Sequence, residues 1–448
     1  GTDHAFYTYG VTDVTVTRLT AIGDFDYDDD DWEDILFYDQ VSTNLTITDS
    51  TMSHGYRGLQ SYESTGLFVE DNLLESNYQG MMLDGTQGAY IGQNSVVESR
   101  YYGLRSYYMS DSEVSGNTLS FGEYGMYLYS SSDSNVTGNV LYNNMYGLRT
   151  YYTYGMNYSH NTVTSNWEYG FESQYPSGDV YYGNTVAENG QYGMWMYSPS
   201  SVSVLGNDIL SNGYGLYIQE GYGTAVAGNT FDSNWEGIHT ESNDYLSASG
   251  NLFTENRVGL MAQWSYYQTV EGNTFDSNWD ALYLDGGNDY TIVRNDLFRN
   301  GYRGVFMFDS GDSLIAMNNI SGSYAGIQLF SSYSVEVYAN NVSSNENGVY
   351  LAYSEDVVVY NNNFVGNIAQ AYDSEGDENS WDMGYPEGGN YWSEYDGVDE
   401  YGGEFQDAPG ADGIGDTPYV VDGDTQDRYP FFLGLNNNFA PVALFTVS

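Results

Sequence analysis

Residues 207–218 read Asn207-Asp-Ile-Leu-Ser-Asn-Gly-Tyr-Gly-Leu-Tyr-Ile218. An apolar residue follows the leading asparagine by two positions, a second asparagine follows by five, and a glycine then precedes alternating apolar residues. Alternation of this kind is typical of a strand with one buried face. The stretch therefore predicts short β-strands joined by turns, and nothing in it resembles a helix.

The pattern recurs along most of the chain at intervals of 22 or 23 residues. Its leading asparagines are Asn72, Asn94, Asn117, Asn139, Asn161, Asn184, Asn207, Asn229, Asn251, Asn273, Asn295, Asn318, Asn340 and Asn362. A degenerate copy precedes them, with Ser50 in the asparagine place and Gly58 in the glycine place. A third apolar pair precedes each leading asparagine, so each repeat holds three strands and three turns. The fold class predicted is all-β, a right-handed parallel β-helix (solenoid) of about fifteen coils with a cap at each end.

Two columns of the repeat have structural interpretations. Asparagines stacked at a turn can hydrogen-bond to the coils above and below, as Asn ladders do in stacked sheets. The glycine column is interpreted as a bend with positive φ before the strand. A leucine-rich repeat has a comparable period, but β-branched and aromatic residues dominate here.

The composition limits the partners of the chain. Ten basic residues, all arginine, stand against 62 acidic ones, which gives a net charge of −52. Such a protein repels nucleic acid, anionic lipid and acidic polysaccharide. The chain has no cysteine, and no apolar run approaches the length of a membrane span, so no membrane insertion is expected in this segment.

The tail carries the most specific motifs. These are Gly389-Asn-Tyr-Trp-Ser-Glu-Tyr395, Asp412-Gly-Ile-Gly-Asp-Thr-Pro-Tyr419 and Asp427-Arg-Tyr-Pro430, followed by Ala440-Pro-Val-Ala-Leu-Phe-Thr-Val-Ser448. With the repeat, they resemble the right-handed β-helix family of NosD-type accessory proteins and carbohydrate-binding and sugar-hydrolase (CASH) repeats. The order of the first three motifs resembles the C-terminal cap of archaeal surface proteins of that family. The last motif resembles the first strand of a polycystic-kidney-disease (PKD) repeat, which implies that the natural chain continues.

Four segments are predicted from these patterns. They are an acidic N-terminal cap at 1–43, the parallel β-helix at 44–371, a C-terminal cap at 372–435, and a linker with the first strand of a PKD-like domain at 436–448. The resemblance implies an extracellular or cell-surface location. Five glycosylation sequons support export weakly, at Asn44, Asn135, Asn157, Asn319 and Asn341.

Two acidic clusters are candidate calcium sites, because crowded carboxylates need cations and oxygen ligands suit Ca²⁺. The candidate ligands are Asp24, Asp26, Asp28 and Asp30 in the N-terminal run, and Asp412, Asp416, Asp422 and Asp424 in the tail. The alternative is a solvated acidic loop, since Asp and Gly are also ordinary turn residues.

Two aromatic columns are predicted on the outer surface. Four residues after the glycine lie Tyr107, Tyr129, Tyr151 and Tyr197, interrupted by Gln174; two residues after it lie Tyr127, Trp195, Tyr217, Tyr283, Phe306 and Tyr350. An exposed aromatic stripe suits sugars or another copy of the protein. The alternative is that the rings stack on one another and stiffen the coil.

Catalysis and copper have weaker support. Asp285 and Asp309 lie on adjacent coils and are the candidate acid and base pair, with an ordinary polar edge as the alternative. Copper handling is implied only by the resemblance, since the four histidines are scattered and most methionines occupy inward columns.

These features favour a non-enzymatic structural protein of the cell surface, whose partner is itself in a filament, sheath or lattice. The second hypothesis is a surface protein that binds or cleaves glycans through the same aromatic columns. A viral spike is a third class that shares the fold.

Overall fold

The structure is a computed structural model that describes residues 4–25, 34–423 and 425–434. The predicted fold class is confirmed, because the chain is a right-handed parallel β-helix of about fifteen turns. The described residues contain no α-helix. In particular, they include no helix whose length and hydropathy would allow it to cross a membrane. The chain divides into two compact units, residues 1–225 and 226–448, and each is built from three parallel sheets.

The long-strand sheet consists of six-residue strands, most of which contain the Gly-apolar-x-apolar pattern. In the first unit they are His4–Tyr9, Ile35–Gln40, Arg57–Tyr62, Gln79–Asp84, Tyr102–Tyr107, Tyr124–Tyr129, Tyr146–Tyr151, Tyr169–Gln174, Tyr192–Tyr197 and Tyr214–Gln219. In the second unit they are Glu236–Glu241, Val258–Gln263, Asp280–Asp285, Arg303–Phe308, Ala325–Phe330, Asn347–Ala352 and Ala369–Ser374. Within each unit, each strand pairs in parallel with the equivalent strand of the next coil, so equivalent residues form columns.

The second sheet precedes each leading asparagine, and most of its strands have three residues. They are Thr15–Thr17, Thr46–Thr48, Phe68–Glu70, Tyr90–Gly92, Glu113–Ser115, Asn135–Thr137, Asn157–Ser159, Val180–Tyr182 and Ser203–Leu205, then Ala225–Ala227 at the unit boundary, and Ser247–Ser249, Thr269–Glu271, Thr291–Val293, Gly311–Ala316, Tyr333–Tyr338 and Val358–Tyr360.

The third sheet follows each leading asparagine. Its strands are Thr20–Ile22, Thr51–Ser53, Leu73–Glu75, Ser95–Val97, Thr118–Ser120, Val140–Tyr142, Thr162–Thr164, Thr185–Ala187 and Asp208–Leu210 in the first unit, and Thr230–Asp232, Leu252–Thr254, Thr274–Asp276, Asp296–Phe298, Asn319–Ser321, Asn341–Ser343, Asn363–Val365 and Tyr391–Trp392 in the second. Two antiparallel pairs follow near the C-terminus, Tyr401–Gly402 with Ala408–Pro409 and Tyr419–Asp422 with Thr425–Asp427.

The core of each unit lies inside the coils, where apolar residues of the three sheets meet. The apolar residue two positions after each leading asparagine is buried, as the sequence predicts; Leu141, Val163 and Phe275 are examples. Like residues stack from coil to coil, and the rings of Phe253 and Phe275 lie 4.5 Å apart and nearly parallel. The interior is therefore a set of apolar columns rather than one globular core.

The leading asparagines form the predicted ladder. Asn139 Nδ2 donates to Asn161 Oδ1 at 3.0 Å and to Val114 O at 2.8 Å, and its backbone N–H also donates to Asn161 Oδ1 at 3.0 Å. Near the C-terminus the ladder reaches Asn390, whose Oδ1 accepts the backbone N–H of Asn362 at 3.1 Å. The Gly389–Tyr395 motif therefore begins with one more turn of the helix.

The interpretation of the glycine column is wrong. Gly147 does not adopt positive φ; a Cβ there would lie 2.6 Å from the carbonyl oxygen of Gly170, so the column needs glycine for space. The left-handed bend lies instead directly before each leading asparagine, at Gly116 with φ of 65° and at Asp71 with φ of 55°. Glycine is favoured there but not required.

The N-terminal end of the chain differs from the predicted acidic cap. Residues 4–22 supply one strand to each of the three sheets and form a regular coil, and Ile35–Gln40 begins the next coil. At the other end Trp392 stacks on Phe364 with ring centroids 4.5 Å apart, and Tyr419 stacks on Trp392 at 4.2 Å. Tyr419 thus covers the last apolar layer. Residues 436–448, with the PKD-like strand, lie outside the described residues.

Candidate functional site

The predicted aromatic columns lie on the outer face of the long-strand sheet. In the first unit Tyr129 stacks on Tyr151 with centroids 5.5 Å apart, while Tyr107 meets Tyr129 edge-on at 5.3 Å. The remaining members, Tyr127, Trp195, Tyr197 and Tyr217 in the first unit and Tyr283, Phe306 and Tyr350 in the second, occupy equivalent outward positions. Phe306 alone among the columns is buried. Both the surface and the mutual stacking that the sequence predicts are therefore present.

A third aromatic column was not predicted. The residue before the glycine is tyrosine in six consecutive coils, at Tyr102, Tyr124, Tyr146, Tyr169, Tyr192 and Tyr214. Successive rings stack with centroid separations of 5.2, 4.9, 5.4, 5.0 and 5.0 Å. The recurring Tyr-Gly dipeptide is the sequence signal for this column. We call the outer face of strands Tyr102–Tyr107 to Tyr214–Gln219 the tyrosine face.

Burial and hydrogen bonding raise the pKa of several tyrosine hydroxyls on this face. Burial raises the pKa of Tyr102 far above its ordinary value, and raises the pKa of Tyr169 to about 12. The hydrogen bond to Glu220 raises the pKa of Tyr197 to about 12. Because the stacked rings cover one another's faces, the five partly exposed rings of the column present mainly ring edges to solvent, and Tyr124 is buried.

Arginines lie among these rings and pair with carboxylates of neighbouring coils. The Arg149 guanidinium is 3.1 Å from Glu172 and donates to the hydroxyl of Tyr124 at 3.0 Å. Burial raises the pKa of Glu172, and the charge of Arg149 opposes that rise. Arg105 pairs with Asp84 at 3.0 Å. The face therefore combines aromatic edges, hydroxyl groups and two Arg–carboxylate ion pairs.

The second unit carries a different set of groups on the same sheet. His239 Nδ1 lies 2.5 Å from Glu236 Oε2. Arg303 donates to both oxygens of Asp280, at 2.8 and 3.1 Å, and its guanidinium lies 3.8 Å from the ring centroid of Phe306. We call Glu236, His239, Asp280 and Arg303, with the neighbouring Trp235 and Trp279, the mixed-charge patch. The repeat pattern does not predict this patch, since its members are single departures from the repeat.

The register does not bring the predicted acid pair into one column. Asp285 ends its strand opposite Phe308 of the next coil, and Asp309 is the residue after Phe308. Asp285 accepts a hydrogen bond from Gln263 at 3.4 Å. A catalytic role for the pair stays a prediction without structural support.

The predicted calcium ligands are only partly described. Asp26, Asp28, Asp30 and Asp424 lie outside the described residues, and Asp24 is exposed. In the tail, Asp416 accepts the backbone N–H groups of Glu400 and Tyr401 at 3.0 and 3.1 Å, and Asp412 accepts those of Gly403 and Ile414. These two carboxylates therefore fasten the loop, and Asp422 lies in the hairpin strand Tyr419–Asp422. Within the described ranges, no three His, Cys, Asp or Glu side chains are placed to hold a metal ion.

The sequon asparagines lie at the surface. Asn44, Asn135 and Asn319 are exposed, while Asn157 and Asn341 are half-buried. Asn157 donates to Asn135 at 3.1 Å and Asn341 donates to Asn319 at 3.0 Å, so each pair stacks on adjacent coils. Their glycosylation stays a prediction.

The three-sheet solenoid defines a parallel β-helix protein. The chain belongs to the family described as periplasmic copper-binding protein (NosD), whose model matches residues 29–150, 108–244 and 232–397. No curated protein matches the chain.

Solved structures with a similar fold share little sequence with the chain. A GH87 α-1,3-glucanase catalytic unit from Streptomyces thermodiastaticus strain HF3-3 is 12% identical over 62% of this chain and 59% of its own, with a TM-score of 0.44. The A-module of an Azotobacter vinelandii mannuronan C-5 epimerase is 16% identical over 78% and 90%, with a TM-score of 0.41. A mannuronic acid specific polysaccharide family 6 lyase from human gut microbiota is 10% identical over 73% and 82%, with a TM-score of 0.44. The chain thus spans less than two thirds of the glucanase unit, and these likenesses carry no argument about function.

The described residues do not gather histidine ligands for the copper that the family description names. The four histidines, His4, His54, His160 and His239, lie in four different coils, and the chain has no cysteine. Soft sulfur and imidazole ligands are the ones that copper prefers.

Proposed function

We propose that the chain is a glycan-binding protein that acts outside the cytoplasm, and that the tyrosine face holds an extended neutral polysaccharide. The observation that carries the proposal is the six-ring tyrosine column, with Arg–carboxylate pairs set among the rings. A sugar has apolar C–H groups, which pack against aromatic side chains, and a rim of hydroxyl groups, which hydrogen-bond to oriented polar groups. The tyrosine face supplies both kinds of partner.

The spacing of the face supports a polymer rather than a single sugar. Ring centroids in the column repeat every 4.9 to 5.4 Å. One pyranose unit of an extended glycan advances the chain by a comparable length. Successive sugars can therefore meet successive coils, so that several weak contacts add up along one glycan.

The net charge of the protein favours neutral over acidic polysaccharides as ligands. With a net charge of −52, the surface repels uronic-acid polymers at ordinary ionic strength. The two arginines of the face are already paired with Asp84 and Glu172. Neutral glycans are therefore the favoured ligand class.

Affinity electrophoresis in gels that contain a neutral β-glucan should retard the protein, and gels with alginate should not. Replacing Tyr127 or Trp195 by alanine should weaken neutral-glycan binding by about tenfold, or about 1.4 kcal/mol. Tyr182→Ala is the matched control, because this exposed tyrosine lies on the second sheet. Equal retardation of all three variants, or a preference for alginate, would contradict the proposal.

Self-association into a filament, sheath or lattice is a second proposal for the same chain. It is supported by aromatic side chains at turns that are largely open to solvent, such as Trp167 at 78% and Tyr154 at 62% exposure. Electron microscopy separates the two proposals, since ordered arrays favour a structural role. Calcium binding by the acidic clusters also stays a proposal, which melting in the presence of a chelator at fixed ionic strength would test.

A further inference from the structure

The second sheet of the first unit includes a region whose outward side chains carry no charge. It comprises the strands Asn135–Thr137, Asn157–Ser159, Val180–Tyr182 and Ser203–Leu205. In each strand the middle residue is buried, and the outward residues are Asn, Ser, Thr, Val, Leu or Tyr. We call the outer side of these four strands the neutral face, together with the turns 152–156, 175–179 and 198–202 that precede three of them.

Such a region is unusual in this chain. Charged residues make up 16% of the sequence, and the net charge is −52. Residues 152–167 nevertheless contain no Asp, Glu, Lys or Arg. In residues 175–187 the one such residue is Asp179, whose side chain is buried. Exposed carboxylates return at the margins, at Asp133 and Asp208, so the neutral face is a bounded area on a strongly acidic protein.

The parallel register makes the neutral face continuous over four coils. Asn135 pairs with Asn157, Asn157 with Val180, and Val180 with Ser203. A second column runs beside the strands, in which single bridges join Ser132, Tyr154, Ser177 and Ser200. Because strands repeat about every 4.8 Å, the face extends about 19 Å from coil to coil. Its side chains therefore form one contact area.

Exposed aromatic rings lie on the neutral face and are held by neighbouring rings. Tyr152 is 49% exposed and stacks on Tyr175 with centroids 4.9 Å apart. Tyr182 is 41% exposed, and the ring of His160 meets it edge-on at 5.3 Å. A tyrosine that its neighbours already hold loses little conformational freedom on binding, and tyrosine is enriched among the residues that dominate protein interfaces.

The chemistry of the neutral face is complementary to itself. Amide and hydroxyl groups both donate and accept hydrogen bonds, so a surface of Asn, Ser, Thr and Tyr can pair with the same surface of a second copy. Ionised carboxylates only accept, and a contact that brings carboxylates of two chains together costs free energy. Two copies that meet through the neutral face avoid this cost.

We infer that the neutral face is the interface of a two-fold symmetric homodimer. The inference rests on self-association, the second proposal above, and names its surface; glycan binding does not enter it. A face that pairs with itself closes at two chains, so it gives a dimer and not a filament. Four coils present roughly 500 Å² of strand and turn surface, below the about 800 Å² that each partner buries in a standard interface. The dimer should therefore be weak, with a Kd on the order of micromolar.

Sedimentation equilibrium of the full chain tests the inference. In EDTA, and over a concentration range of about 1 to 100 µM that brackets the expected Kd, the mass should rise from 50.0 kDa towards twice that value. Raising the salt concentration from about 0.1 M to about 1 M should strengthen the association, since salt screens the repulsion between the acidic surfaces of the two chains. A dimer that dissociates at high salt or needs calcium would contradict a neutral interface.

A single added charge tests the location of the interface. Tyr182→Asp should weaken the association by at least about tenfold, because it places a carboxylate on the neutral face. Thr48→Asp is the matched control, since it adds the same charge at the equivalent outward position of the strand Thr46–Thr48, outside the face. Both variants should keep the circular dichroism spectrum of the parent chain.

Alanine variants separate this inference from glycan binding. Tyr182→Ala should weaken the dimer and leave retardation by neutral glycan unchanged, whereas Tyr127→Ala should do the reverse. A parent chain that stays monomeric throughout would overturn self-association together with the inference. Association that Tyr182→Asp leaves unchanged would overturn the assigned face alone, and so would a glycan found by mass spectrometry on Asn135 or Asn157, because it would occupy that face.

Discussion

Replacing Asn161 by alanine should lower the free energy of unfolding by about 3–6 kcal/mol. The Asn161 side chain is 1% exposed and makes four hydrogen bonds. Its Oδ1 accepts from the backbone N–H and the Nδ2 of Asn139, and its Nδ2 donates to Val136 O and to Asn184 Oδ1, all at 2.9 to 3.0 Å. Alanine leaves the Asn139 N–H and the Val136 carbonyl without these partners, and water does not reach them.

Chemical denaturation followed by tyrosine and tryptophan fluorescence measures the effect. Asn157→Ala is the control, since it removes a hydrogen bond at the surface of the same coil, and it should change the free energy of unfolding by no more than about 0.5 kcal/mol. Similar losses in the two variants would mean that the buried ladder contributes no more than a surface contact.

The columns were predictable because their period is fixed by the fold. A parallel coil must place like residues above one another, so the leading asparagine, its apolar partner and the alternating strand could all be assigned from spacing. The same reasoning failed for segment 1–43. Its first coil lacks the leading asparagine, so the repeat pattern does not reveal the short strand Thr15–Thr17. The acidic run around Asp28 is typical of a loop and favours a cap.

The contacts between columns were not predictable from spacing. Arg149 pairs with Glu172 on the next coil, but Arg105 pairs with Asp84 on the preceding coil. The direction of each pair depends on side-chain rotamers, which a column assignment does not contain. Asp285 and Asp309 do not share a column for a simpler reason. Asp285 pairs with Phe308, and Asp309 is the next residue, past the end of its strand.

The six-ring tyrosine column is not predicted by the spacing of the repeat. The two predicted aromatic columns follow the glycine, whereas Tyr124 and its equivalents stand before it. In a regular strand they would point inward with Met126. A Cβ on Gly125 would lie 3.2 Å from Leu141 Cδ2, so the glycine fills the inward place and the preceding tyrosine turns outward. The outer face therefore gains an aromatic column that strict alternation would have assigned to the core.

Replacing Asp179 by asparagine should stabilise the protein by about 3 kcal/mol at pH 7, since each unit of pKa shift corresponds to about 1.4 kcal/mol. Asp179 is buried, and burial raises the pKa of its carboxyl to about 6 from an ordinary 3.8. The folded chain therefore binds this proton more tightly than the unfolded chain does. The resulting stabilisation is fully present below about pH 4 and is lost as the pH rises through about 6.

An amide can keep the native contacts without the charge. Asp179 accepts the Thr153 hydroxyl at 2.6 Å and the Met156 N–H at 3.0 Å. Asn379 makes the equivalent backbone contact in the second unit, where its Oδ1 accepts the Val357 N–H at 3.0 Å. Asp179→Asn should therefore fold normally and lack the pH dependence that Asp179 contributes between pH 4 and 6.

The measurement is the difference in free energy of unfolding between the parent chain and each variant from pH 4 to pH 7. Taking differences removes the titration of the other carboxylates, which both proteins share. Asp133→Asn, at an exposed turn, should give a flat difference near zero. If the difference in free energy of unfolding for Asp179→Asn also does not change with pH, then solvent or a hydrogen-bond donor reaches the carboxylate and compensates for its burial.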